Sequence, residues 1–95
     1  MPEMRFRVRW PDDSITLCYS PSLIIKDYFV LQQAYPLDRF VADSREALNI
    51  ASERVHKKFG FYCTSAMHQL EEIERIAARF EGQKDAVVRV EEFIE

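Results

Sequence analysis

The chain has 95 residues, 47% of them apolar and 13% aromatic, with 16 acidic against 13 basic side chains and a net charge of −3. That length and apolar content suit a single domain spanning residues 1–95, with a core that needs no metal or disulfide staple, and they exclude an intrinsically disordered chain. The negative charge argues against generic nucleic-acid binding, and only two glycines exclude the glycine-rich phosphate cradles of P-loop and dinucleotide-binding proteins.

Residues 4–10 alternate strictly, with Met4, Phe6, Val8 and Trp10 on one face and Arg5, Arg7 and Arg9 on the other. This is the pattern of a half-buried strand. Pro11-Asp12-Asp13-Ser14 supplies a turn, with Asp13 suited to a left-handed position. Ile15, Leu17 and Tyr19 resume the alternation as the inward set, which leaves Thr16, Cys18 and Ser20 on the opposite face and completes a β-hairpin. Ser20-Pro21 reads as an N-cap and first-turn proline opening a short helix through SLIIKDYF. Val30 to Tyr35 reads as a connector.

The stretch from Tyr35 to Gly60 predicts one long helix, opened by Pro36 and stopped by Gly60 as a left-handed C-cap. Leu37, Val41, Ser44, Leu48, Ala51 and Val55 recur at spacings of four and three, and Phe40, Ala47 and Phe59 widen that seam into a core-facing stripe. A third helix follows from Thr64 or Ser65 to about Phe80, with Ala66, Leu70, Ile73, Ala77 and Phe80 as its seam, Glu71 pairing with Arg75 outside, and Gly82 as its stop. The short connection between these helices predicts an antiparallel pair. In the tail, Ala86, Val88, Val90, Glu92 and Ile94 form the more apolar parity, predicting a third strand with a bulge near Glu92; a short terminal helix is the alternative. The expected fold is α+β and two-layered, a three-stranded antiparallel-type sheet (β-β-α-α-α-β) packed on the helix pair.

The N-terminus carries arginines where a signal peptide would have an apolar run, and no segment approaches the roughly 20 apolar residues of a membrane span. Cys18 and Cys63 therefore read as reduced thiols in the cytoplasm.

Four groups of residues bear on function. Arg5, Arg7 and Arg9 form a basic row on the outer sheet face, either solvated and neutralised by cross-strand carboxylates such as Glu91 or open to an acidic protein partner. Nucleic acid is the least favoured occupant, because the aromatics of that strand face inward. Tyr35, Phe61 and Tyr62 are aromatics at element ends, candidates for an exposed interface if the core does not absorb them. His56, Cys63, His68, Glu71 and Glu72 invite a metal reading, but their spacing matches no standard zinc pattern, and no metal or other cofactor is expected. Cys63, just before a helix start, is a candidate nucleophile with His56 or His68 as base; a buried apolar thiol is the plainer reading.

The segments MPEMRFRVRWPDDS, CYSPSLIIKDYF, YPLDRFVADSREALNIASERV and FGFYCTSAMHQL together resemble a small bacterial family, the nitrogen-starvation response proteins of a nitrilase-containing gene cluster. The resemblance covers about Met1 to Ile76. It implies a setting in nitrogen limitation and nitrile or cyanide assimilation, beside a nitrilase, a radical S-adenosylmethionine protein, an acetyltransferase and a flavoprotein. It brings no catalytic residues with it. The combined expectation is an accessory or interaction protein whose partners are products of that cluster, with a homodimer through an open strand edge as a further possibility. The alternative is a small enzyme or ligand- or metal-binding protein using Cys63 with His56 or His68.

Overall fold

The computed structural model of the chain describes residues 3–61 and 64–95. Strands β1 (Met4–Arg9) and β2 (Ile15–Ser20) form the hairpin, and β4 (Val87–Ile94) pairs with the other side of β1. A fourth strand, β3 (Ala34–Pro36), pairs with β4, so the sheet is four-stranded and antiparallel in the order β2-β1-β4-β3. The expectation of three strands is corrected by this short element, which takes Ala34 and Tyr35 from the expected connector and Pro36 from the expected start of the long helix. Three residues are too few to show a two-residue period, and an edge strand tolerates Pro36.

Helices α1 (Ile25–Tyr28), α2 (Leu37–Phe59) and α3 (Thr64–Ala78) complete the fold. Arg45, early in α2, bonds Glu74, late in α3, as an antiparallel pair requires. Only four residues of the SLIIKDYF segment are helical. Ser20 ends β2, and its hydroxyl donates to the Ser22 carbonyl at 2.7 Å, so it builds a turn instead of a cap. At the far end of α2, Gly60 takes φ 80° and its N–H donates to the His56 carbonyl at 2.8 Å, as the left-handed stop demands.

The core lies between the helices and one sheet face. Met4, Phe6, Val8 and Trp10 are at most 1% exposed and pack with Val88 and Val90 of β4. The Trp10 ring stacks on Phe80 with centroids 6.2 Å apart and meets Phe40 edge-on at 5.6 Å, while its indole N–H donates to Thr16 Oγ1 at 3.0 Å. On α2 the buried line is Phe40, Ser44, Ala47, Leu48, Ala51 and Val55; Leu37 and Val41 are half-buried and Phe59 is exposed. The core stripe therefore lies slightly round the helix from the expected seam and stops a turn short of its end.

The face assignment of β2 is the reverse of the expected one. Cys18 and Ser20 are fully buried, whereas Ile15 and Leu17 are 44% and 50% exposed. The register explains this: Phe6 opposes Cys18 and Val8 opposes Thr16, and residues directly opposite each other share a face. In β4 the register shifts beside the Arg7/Val8 pairs, leaving Glu91 as the extra residue. Because of that bulge, Phe93 opposes Phe6 and packs on the core, while Glu92 and Ile94 turn to the outer face. On α3 the ion pair runs from Arg75 to Glu72, at 3.9 Å, instead of to Glu71.

Candidate functional site

The outer face of the sheet leaves Ile15, Leu17 and Ile94 exposed, and among the described residues no helix packs over them. Along β1 it carries Arg5, Arg7 and Arg9, flanked on β2 by Tyr19, Leu17 and Ile15 and on β4 by Ile94, Glu92 and Arg89. The correction to β2 changes its character, since the arginines stand beside exposed aliphatics and not beside Thr16 and Cys18. Ile94 is 37% exposed, so the basic row has an apolar border along β2 and one apolar side chain, beside Glu92 and Arg89, along β4. Arg9 Nε–H donates to Glu91 Oε2 at 2.6 Å, with a second N–H 3.4 Å from Oε1, and this carboxylate raises the Arg9 pKa. Arg7 meets Glu92 at 2.9 Å. Arg5 differs: among the described residues no carboxylate lies within ion-pair reach, and its guanidinium sits 5.8 Å from the centroid of the Tyr19 ring. The row thus holds two neutralised cations and one available cation.

Arg5 also borders a shallow polar hollow of about 500 Å³ with Glu3, Tyr19, Ser65, His68, Gln69 and Glu72. The Tyr19 N–H on the β2 edge donates to Gln69 Oε1 at 2.9 Å, so α3 already caps part of the strand edge that would otherwise be free to pair. Here the structure brings together Arg5 and His68. His56 lies on the last turn of α2 and is not part of the hollow, nor is Glu71. Among the described residues no three His, Cys, Asp or Glu side chains group as a metal site. Cys63 and Tyr62 lie outside the described residues. Cys18 is the described thiol; burial, aided by the nearby charge of Glu72, pushes its pKa up and keeps it protonated.

The remaining aromatic candidates separate. Tyr35 is 6% exposed, its ring packs edge-on against Phe29 at 5.3 Å, and its hydroxyl accepts the Val30 N–H at 2.7 Å, which makes it a core residue. Phe61 is 61% exposed, and its ring lies 6.0 Å from that of Phe59, itself 52% exposed. At the opposite end of α2 an open cleft of about 820 Å³ separates the first turns of that helix from the end of α3 and the segment before β4. Leu37, Val41, Ala77, Phe80 and Val87 form its apolar walls. Sequence reading missed this cleft, because its residues come from three separated segments and no single periodicity joins them.

No helix among the described residues is long and apolar enough to cross a membrane. No curated protein and no solved structure matches the chain. Residues 5–93 match the family described as nitrogen starvation-induced protein NitG, from the arginine row to Phe93 of the last strand, and the chain belongs to that family.

Proposed function

We propose that this chain is an accessory protein of the nitrogen-starvation response, acting by binding an acidic surface of a partner protein through the outer face of its sheet. The resemblance to the nitrilase-containing cluster supports a partner among the enzymes encoded there, in a cytoplasmic setting of nitrile or cyanide assimilation. The carrying observation is the arginine row set beside exposed Ile15, Leu17 and Ile94, over which no helix packs among the described residues. Those three side chains each leave roughly 1 kcal/mol of apolar burial unrealised in the free chain. Arg5, with no carboxylate within ion-pair reach among the described residues, adds specificity and a salt-dependent association rate.

The test is affinity capture from nitrogen-limited cells with the wild-type chain and an Arg5→Glu/Leu17→Ser variant of equal thermal stability. The expected result is an enzyme of the cluster retained by the wild type, released by salt and lost with the variant. Equal retention by both proteins, or retention of none of these enzymes, contradicts the assignment.

A further inference from the structure

The two ends of α2 carry surfaces of opposite shape and opposite charge. At its last turn the exposed Phe59 and Phe61 rings project together, flanked by Lys57 and Lys58, with Lys58 Nζ 5.6 Å from the Phe59 centroid. At its first turns lies the 820 Å³ cleft, apolar inside and lined at its rim by Asp38, Glu74, Glu81 and Asp85. Arg45, the single basic residue lining it among the described residues, is already held by Glu74 at 2.6 Å. A chain cannot fill its own cleft with its own tip, since the intervening helix of 23 residues is about 34 Å long.

We propose that the Phe59/Phe61 tip of one copy seats in the cleft of a second, so that the chain self-associates head to tail. The apolar rings would enter the apolar walls while the two lysines meet the rim carboxylates. The symmetric alternatives are disfavoured by charge: tip against tip opposes lysine to lysine, and cleft against cleft opposes acid to acid. A single tip-to-cleft junction is heterologous and leaves one free tip and one free cleft, so copies add until a ring closes, the smallest being two antiparallel copies that exchange tips, or a filament grows.

Light-scattering mass measured against concentration on the full chain tests this. The expected outcome is a mass that rises above the monomer as concentration rises and falls with added salt. A tip variant, Phe59→Ser/Phe61→Ser, and a rim variant, Asp38→Lys/Glu81→Lys, should each remain monomeric with unchanged helical content. Mixed together they should form a heterodimer and nothing larger, because one intact tip then meets one intact cleft. The charge exchange Lys57→Glu/Lys58→Glu should not assemble with itself but should associate with the rim variant through both junctions, since each tip then meets a rim of opposite charge. A wild type that stays monomeric, a single-surface variant that assembles like the wild type, or a mixture that stays monomeric would each overturn the proposal. So would a cleft that binds an alkylamine probe in a chain that does not self-associate.

Discussion

The two faces of the sheet are built from alternate residues of the same strands, yet they do different work. On the inner face Phe6, Val8 and Cys18 are wholly buried. On the outer face, one residue along, stand Arg5, Arg7 and Leu17, with Leu17 half exposed. Inner positions have no freedom to change, because the core is close-packed and a lost methylene group leaves a cavity. Outer positions are free of that constraint; Arg7 and Arg9 there bind Glu92 and Glu91 across the sheet, while Arg5 and the exposed Leu17 and Ile15 have no such partner carboxylate or cover among the described residues. The difference assigns stability to the inner face and leaves the outer face available for the association proposed above.

The strongest way to break that division is Leu48→Asp, at the centre of α2 and fully buried. An unpaired charge in that core should cost about 5 kcal/mol and leave the chain largely unfolded by circular dichroism; a variant melting like the parent would remove Leu48 from the core. Next comes Phe6→Ala on the inner face, with an expected loss of about 3–5 kcal/mol in denaturant titration. A third, smaller effect depends on pH. Burial raises the Cys18 pKa, so the folded state retains a proton that the unfolded chain releases above about pH 8.5. Stability is therefore unaffected below that pH and declines above it, by at most about 1.4 kcal/mol per pH unit from this group. Cys18→Ala should flatten that alkaline slope relative to the parent. The smallest change in stability, within about 0.5 kcal/mol, is expected for Leu17→Ser on the outer face, although it should weaken partner capture. A large loss of stability there would erase the distinction between the faces.

Much of this fold is legible in the sequence. The alternation from Met4 to Trp10, the left-handed positions of Asp13 (φ 68°) and Gly60, and the long amphipathic α2 all correspond to what their residues dictate. The inverted face of β2 was legible as well. A three-residue loop, Pro11 to Asp13, with a left-handed last residue places Trp10 opposite Ser14 and so puts even-numbered residues of both strands on one face. Hydrophobicity points the other way, because Ile15 and Leu17 are more apolar than Thr16, Cys18 and Ser20, and it misleads here because the outer face itself carries aliphatics. Glu91 shows a different limit. Its place as a bulge depends on β1 pairing with β4, 82 residues away along the chain from Arg9. The cleft is less legible still, since Leu37, Phe80 and Val87 meet only through tertiary packing.

The central claim, that the outer sheet face is the association surface, is tested most directly by hydroxyl-radical footprinting of the chain alone and in complex with its captured partner. Leu17 and Ile94 should lose labelling on binding, while Val30, exposed in the connector before β3, keeps it. Leu17 and Ile94 labelled as strongly in the complex as in the free chain would contradict the account.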